Sequence, residues 1–143
     1  MRAINRPGRQ GVVFLNYIWY ISWLMRRRSM LSAKIPLVFF ATNTGNEPVR
    51  DWLKELPDPD RQAIGQDLMR AQWRWPVGMP LCRNLGKGLW EIRTTLASNR
   101  IARVIFCAHE GELVALHGFI KKTQKTSQNA MDLAAKRKKE LDG

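Results

Sequence analysis

The sequence predicts an α+β fold, because two amphipathic helical segments precede three short alternating segments that are joined by turns. A third helical segment follows near the carboxyl end. The chain has 143 residues, which corresponds to one domain and is enough to bury an apolar core. We therefore expect an N-terminal strand and a helical hairpin, an antiparallel sheet with a meander, and a C-terminal helix, with the helices packed on one face of the sheet.

The first predicted elements are a strand and two helices. Residues 37–41 form an apolar run rich in strand formers. Asn46 is predicted to cap a helix with Pro48 in its first turn. Asp58 is predicted to cap a second helix that has Pro59 at its first position. The apolar stripes of the two helices are Val49, Trp52, Leu53 and Leu56, followed by Ile64, Leu68, Ala71 and Trp75.

The second half of the domain alternates with period two before it ends in a helix. Residues 89–95, 101–107 and 113–120 are predicted to be the three strands of a meander. Residues 85–90 (LGKGLW) are predicted to form only a turn into the first of these strands. Thr126 or Ser127 is predicted to cap the last helix. The apolar stripe of that helix is Ala130, Leu133, Ala134 and Leu141.

The charge of the chain is its abnormal property. The formal net charge is +12 and the pI is about 10.5, which indicates an anionic partner: nucleic acid, an acidic membrane surface or an acidic protein. Residues 1–35 carry seven basic and no acidic residues, and residues 81–143 carry twelve basic and six acidic ones. The basic surface of the folded domain is therefore expected in the second half of the chain.

Residues 1–34 are predicted to be a basic and apolar extension, and residues 35–143 the domain. The apolar run at residues 12–25 is short of the roughly 20 residues that span a bilayer. A signal-peptide core and an interfacial helix are alternatives, since arginines flank the run on both sides. The sequence favours an overextended start, with Met30 as the natural one, or a loosely attached segment over a membrane anchor.

Few chemistries are compatible with the residue types present. Cys82 and Cys107 form no CxxC motif and are predicted to be buried thiols. The only histidines are His109 and His117, and no phosphate loop, GxGxxG, GxSxG or HExxH motif occurs. We therefore expect no metal and no cofactor, and chemistry performed by arginine, lysine, histidine and backbone groups.

Basic residues recur at strand positions and at the ends of strands in the second half of the chain. Such a set suits a polyphosphate chain, although each residue alone is compatible with a solvated surface charge. Arg103 is the exception, because it alternates with Ile101 and Ile105 and is therefore predicted to be partly buried, beside Glu91 or a ligand. The basic set is Arg83, Lys87, Arg93, Arg100, Arg103, Lys121, Lys122 and Lys125.

His117 has two interpretations. A single strand histidine is usually structural, but His117 precedes a glycine that allows close approach of another backbone, and cations that form an anion site. It is therefore also a candidate for catalysis or phosphate contact.

Three segments of the domain resemble the phage-derived HigB-like branch of the RelE toxin superfamily. These are residues 85–93 (LGKGLWEIR), 103–106 (RVIF) and 116–126 (LHGFIKKTQKT). The resemblance extends from about residue 36 to the carboxyl end and implies a RelE-like fold. It implies a cytoplasmic toxin of a type II toxin–antitoxin system that cleaves mRNA in the ribosomal A site without metal, by attack of the ribose 2′-OH on the adjacent phosphate. It also implies a helix-turn-helix antitoxin as partner and no stable membrane association.

The resemblance assigns roles residue by residue. The catalytic residues that it implies are Arg93, Arg103, His117, Lys121 and Lys122. Among these, Arg93 and Arg103 would contact phosphate and stabilise the transition state. Its further RNA-binding residues would be Arg83, Lys87, Arg100 and Lys125. Several relatives have a catalytic tyrosine near the C-terminal helix, whereas the tyrosines of this chain, Tyr17 and Tyr20, lie in the extension, so the general base is left unassigned. The alternative is an RNA- or ribosome-binding module of the same fold without cleavage activity.

Overall fold

The computed structural model describes residues 4–5, 34–121 and 126–143, and it confirms the α+β class. In the described residues, six strands form one mixed sheet. The strands are β1 (Ile4–Asn5), β2 (Leu37–Phe40), β3 (Cys82–Gly86), β4 (Leu89–Thr95), β5 (Ile101–His109) and β6 (Glu112–Lys121). The helices are α1 (Pro48–Glu55), α2 (Asp58–Arg74) and α3 (Gln128–Asp142).

The strand order is β1-β2-β6-β5-β4-β3, and the predicted meander of β4, β5 and β6 is confirmed. The sheet is not antiparallel throughout, however, because β2 runs parallel to β6, with Leu37 opposite Leu113. No hairpin turn connects these two strands, so the local sequence does not set their relative direction. Both faces of β2 are buried, which agrees with its continuous apolar run and with its position between β1 and β6.

The edge strand β3 was not predicted. It pairs antiparallel with β4, and residues 87 and 88 connect the two strands in a tight turn. Lys87 and Gly88 both have positive φ, as a two-residue hairpin turn with the twist of its flanking strands requires. The segment contains Arg83 and Asn84, which are exposed at the sheet edge, so it has little of the apolar alternation that marks a strand.

Helices cover both faces of the sheet, and the prediction that they pack on one face is wrong. The physical reason is that each face of the sheet carries its own cluster of buried apolar residues. Helices α1 and α2 pack on a face whose buried residues include Leu37, Phe39, Ile92, Val104 and Phe106. Helix α3 packs on the opposite face, whose buried residues include Val38, Phe40, Leu89, Ile105 and Leu116.

The helix starts differ in part from the predicted caps. Asn46 does not cap α1; the capping position belongs to Glu47, and the amide of Asn46 donates to Thr44 Oγ1 inside the preceding turn. Asp58 is the first residue of α2 and forms an ion pair with Arg61, so it acts on the helix dipole and not as a cap. Ser127 caps α3 as predicted, because its Oγ accepts a hydrogen bond from Ala130 N at 3.2 Å.

Within the predicted N-terminal extension, the structure describes residues 4, 5 and 34. Ile4 and Asn5 pair antiparallel with Phe40 and Phe39 of β2 and so extend the sheet by one short strand. Residues 6–33 lie outside the described residues, so the boundary between extension and domain stays a prediction. Within the described part of the chain, no helix combines the length and the apolar character that a membrane crossing requires.

Gly118 is where α1 packs most closely on the sheet. A Cβ atom at this position would overlap the indole ring of Trp52. The close approach that this glycine was predicted to allow therefore comes from a side chain of α1 and not from another backbone. Because Trp52 lies on the face opposite α3, this contact sets the position of α1 under the strand that carries His117.

Gly118→Ala is expected to lower the free energy of unfolding by about 1–3 kcal/mol, since the added methyl group overpacks the Trp52 contact. Thermal and denaturant unfolding measure this loss. Gly78→Ala is the matched control, because a Cβ there meets nothing within 4 Å. Equal stability of the Gly118→Ala variant and the wild-type protein would contradict the described contact.

Candidate functional site

Three arginines and one glutamate share the face of the sheet that α3 covers. Arg83 of β3 lies opposite Glu91 of β4, and Arg93 of β4 lies opposite Arg103 of β5. Because alternate residues of a strand point to the same side, the pairing places all four side chains on one face. We call Arg83, Arg93, Arg103 and Glu91 the arginine cluster.

The carboxylate of Glu91 lies at the centre of the arginine cluster. Its Oε1 lies 3.7 Å from Nε of Arg103, and its Oε2 lies 3.9 Å from Nη1 of Arg83 and 4.0 Å from Nε of Arg93. Oε1 also accepts a hydrogen bond from Thr126 Oγ1 at 2.6 Å. Glu91 and Arg103 have no exposed surface, so the predicted partial burial of Arg103 is in fact complete.

The arginine cluster carries an excess of positive charge. Three guanidinium groups surround one carboxylate, which leaves a net charge of +2 when all four groups are ionised. Burial lowers the pKa of Arg103, and the charges of Arg93 and Arg83 lower it further while Glu91 opposes them. Positive charge that is only partly compensated in a poorly solvated place attracts an anion strongly.

Strand β6 adds three side chains to the same face. His117 stacks on Phe119, with ring centroids 5.3 Å apart and planes inclined by 27°. The Arg103 guanidinium carbon lies 6.0 Å from the centroid of the Phe119 ring, and Lys121 Nζ lies 5.5 Å from it. Phe119 therefore joins the arginine cluster to His117 and Lys121. It was not predicted as a site residue, although its alternation with His117 and Lys121 is visible in the sequence.

A cleft of about 290 Å³ lies between β6 and the beginning of α3. Its size is at the lower end of the range for small-ligand sites. The cleft combines an imidazole, an aromatic ring and a lysine from the sheet with polar residues from the first turn of the helix. Its lining residues are His117, Phe119, Ile120, Lys121, Ser127, Asn129, Ala130 and Leu133.

His117 lies beside an irregularity of β6. The pairing with β5 shifts between His117 and Ala115, which leaves Leu116 in a bulge. Nη1 of Arg137, on α3, donates a hydrogen bond to the Leu116 carbonyl at 2.7 Å. Burial lowers the pKa of His117, and the charge of Arg137 lowers it further, so the imidazole is neutral at pH 7 and able to accept a proton.

A comparison with protein families matches residues 51–139 to the family model described as phage-derived protein Gp49-like (DUF891). The chain belongs to the Gp49-like family. The matched range contains the arginine cluster, His117, Phe119 and Lys121, and the family is associated with the toxins of toxin–antitoxin systems. A search of the curated proteins finds no match.

The Gp49-like domain brings together five of the nine residues that the sequence predicted for its site: Arg83, Arg93, Arg103, His117 and Lys121. Lys87 is exposed in the turn between β3 and β4, six residues before Arg93 in the chain. Lys122 and Lys125 lie outside the described residues.

Arg100 has a structural partner in the Gp49-like domain. Its guanidinium donates to both oxygens of Asp60, at 2.8 and 3.0 Å, and its Nε donates to the Ala97 carbonyl at 2.9 Å. These hydrogen bonds lower the pKa of Asp60, which is buried at the start of α2. The pair therefore ties the turn before β5 to the helical hairpin, on the face opposite α3. The predicted RNA contact of Arg100 is untested, and we leave it out of the proposed site.

Neither cysteine has the properties of a nucleophile. Cys82 and Cys107 are buried as predicted, and burial raises their pKa values to about 12 and about 11. Both are therefore neutral thiols at pH 7. In residues 4–5, 34–121 and 126–143, no three side chains of the histidine, cysteine, aspartate and glutamate types come together as metal ligands.

The depressed pKa of His117 predicts a pH-dependent stability. In the unfolded chain this group titrates near 6.5, and in the folded domain it titrates lower, so the unfolded state binds more protons in the window below 6.5. His117 therefore favours folding above that window, and the benefit declines as the pH falls through it. Denaturant unfolding at about one pH unit above and below 6.5 should show a smaller decline for His117→Gln than for the wild-type protein. An equal decline in both proteins would contradict the described burial.

Proposed function

We propose that the Gp49-like chain is the toxin of a type II toxin–antitoxin system, of the phage-derived HigB-like branch of the RelE superfamily, and that it cleaves mRNA on the ribosome. The observation that carries this proposal is the net positive arginine cluster, which shares one face of the sheet with His117 and Lys121 and adjoins their cleft through Phe119. The family match supports the toxin class, and the net charge of +12 supports an RNA substrate.

The proposed reaction is a transesterification within the RNA backbone. The ribose 2′-oxygen attacks the adjacent phosphorus while the bond from phosphorus to the 5′-oxygen breaks, which yields a 2′,3′-cyclic phosphate and a 5′-hydroxyl end. One group must take the proton of the 2′-hydroxyl, and another must protonate the leaving oxygen. Neutral His117 suits the first task, and the amino group of Lys121, on the same face of β6, suits the second.

Fixed cations stabilise the charge that develops on the phosphate oxygens in this proposal. The side chains of Arg83 and Arg93 are 45% and 18% exposed, so both can reach a bound phosphate. Arg103 is fully buried, so it does not contact the phosphate; its positive charge adds to the electrostatic attraction that Arg83 and Arg93 provide. The mechanism assigns no step to a metal ion. Lys122 and Lys125 follow Lys121 in the chain and are proposed to contact the flanking RNA backbone.

Two observations favour the alternative function, an RNA- or ribosome-binding module without cleavage. Arg103, which the family resemblance assigns to the transition state, has no exposed surface, and residues 34–121 and 126–143 contain no tyrosine. Mixing the purified protein with translating ribosomes and mapping the mRNA ends distinguishes the two functions. New ends that depend on the protein support cleavage, and inhibited translation without new ends supports the binding module.

Expression of residues 30–143 is expected to arrest growth, and co-expression of a helix-turn-helix protein encoded beside it is expected to relieve the arrest. The reason is that all described site residues lie in this part of the chain, and that the proposed substrate and partner are cytoplasmic. Growth curves and translation rates measure the effect. Normal growth with soluble, folded protein would contradict the toxin proposal.

Arg93→Ala is expected to reduce RNA cleavage about 10²-fold or more, because it removes one accessible cation from the phosphate site. Arg103→Lys is expected to recover little of the activity that Arg103→Ala loses, because an ammonium group cannot reproduce the contacts that the planar guanidinium makes with Glu91 and with the Phe119 ring. Arg74→Ala, which removes an exposed arginine from the end of α2, is the matched control and should cleave normally. If Arg93→Ala retained cleavage, Arg93 would not be the phosphate contact, and that role would have to be assigned to His117 and Lys121.

A further inference from the structure

Glu91 is a negative charge in a site that we propose binds a negatively charged substrate. Charge alone would make such a residue unfavourable there, because it reduces the attraction for phosphate. Yet Glu91 is fully buried, and it lies within 4.0 Å of a guanidinium nitrogen from each of Arg83, Arg93 and Arg103. The position of this carboxylate therefore calls for a role other than contact with the substrate.

The geometry is that of a shared anchor. The three arginines lie on three adjacent strands, and Glu91 lies on the middle one. Without a central anion, three guanidinium groups this close would repel one another and spread apart. The distances to Glu91, 3.7 to 4.0 Å, are longer than ordinary hydrogen bonds, so the attraction is mainly electrostatic and leaves the arginines able to adjust to a phosphate.

A second contact fixes the carboxylate itself. Thr126, which is buried immediately before α3, donates the 2.6 Å hydrogen bond to Oε1. This bond orients the carboxylate plane, and it ties the beginning of α3 to the arginine cluster. The first turn of α3 also lines the cleft that contains His117 and Lys121. The same glutamate thus relates the arginines to the helix that forms the opposite wall of the cleft.

We infer that Glu91 is a positioning residue, which holds Arg83, Arg93 and Arg103 around one phosphate-binding point and, through Thr126, sets the wall of the cleft against them. The identification of that phosphate as part of an RNA backbone rests on the proposed function. Arg83 and Arg93 touch the phosphate, and Glu91 acts through them.

The Glu91→Gln variant distinguishes a positioning role of Glu91 from a purely electrostatic role. The amide keeps the shape of the side chain and can still accept the Thr126 hydrogen bond, but it removes the central anion and raises the net charge of the cluster from +2 to +3. A purely electrostatic role predicts tighter phosphate binding by this variant. Positioning predicts weaker binding, by about 10-fold or more, because the cations no longer converge.

The test is a titration of the full chain with inorganic phosphate, followed by NMR of the arginine Nε–Hε groups. In the wild-type protein the resonances of the three arginines are expected to be sharp and to shift on phosphate addition. In Glu91→Gln they are expected to broaden, and phosphate is expected to bind more weakly. Glu55→Gln, the same chemical change at an exposed position of α1, should bind phosphate as the wild-type protein does. Equal or tighter binding by Glu91→Gln would overturn the inference.

Thr126→Val provides a second test that keeps every charge and the side-chain shape. It is expected to weaken phosphate binding about fivefold, by loss of one hydrogen bond to a carboxylate. If Glu91→Gln does not fold, this variant decides the matter, and unchanged phosphate binding by Thr126→Val would then overturn the inference.

Cleavage assays on ribosomes give an independent readout. Positioning predicts that Glu91→Gln lowers kcat about 10²-fold, whereas a lower KM with unchanged kcat would contradict it. If the wild-type protein itself cleaves no RNA, the proposed function fails, and the phosphate titration still decides the role of Glu91.

Discussion

The arrangement of charged side chains on the α3 face of the sheet depends on the electrostatic attraction between the buried carboxylate of Glu91 and three arginines. Arg103 cannot be buried beside Arg83 and Arg93 without an anion among them, because like charges in a poorly solvated place repel strongly. Glu91 supplies that anion from the middle of three neighbouring strands and leaves the cluster with a net positive charge. The same carboxylate thus permits Arg103 to be buried and leaves the positive charge that the proposed phosphate contact requires.

The two faces of the sheet have different tasks, which follows from the residues on each. The face under α1 and α2 is apolar and closely packed, as the Gly118–Trp52 contact shows, and the Asp60–Arg100 pair joins α2 to the start of β5. The opposite face combines an apolar part with the arginine cluster, His117 and Lys121. Rigid packing on one face therefore supports precise placement of charged groups on the other, which is what stabilisation of a developing charge requires.

Local patterns predicted most of the fold and only part of the site. Alternation and short turns predicted β4, β5 and β6, and the prolines at positions 48 and 59 predicted the helical hairpin. The parallel pairing of β2 with β6 depends on contacts more than 70 residues apart, and β3 is a polar edge strand with little local signal. Alternation also placed Arg103 beside Glu91. It could not show that Arg83 and Arg93 share this carboxylate, or that Arg100 is held by Asp60, because these contacts are decided by sheet register and helix docking.

Helix α3 completes the cleft, and the way it is held explains its orientation. Its buried residues on the sheet side include two alanines, Ala130 and Ala134, which remove little apolar surface from water. Two polar contacts lie on either side of them: Thr126 with Glu91 at the start of the helix, and Arg137 with the Leu116 carbonyl further along it. Each contact reaches a strand position next to a proposed functional group, the arginine cluster or His117. The polar contacts therefore fix the angle and register of α3 on the sheet, and with them the distance between the cleft wall and the groups that would act on RNA.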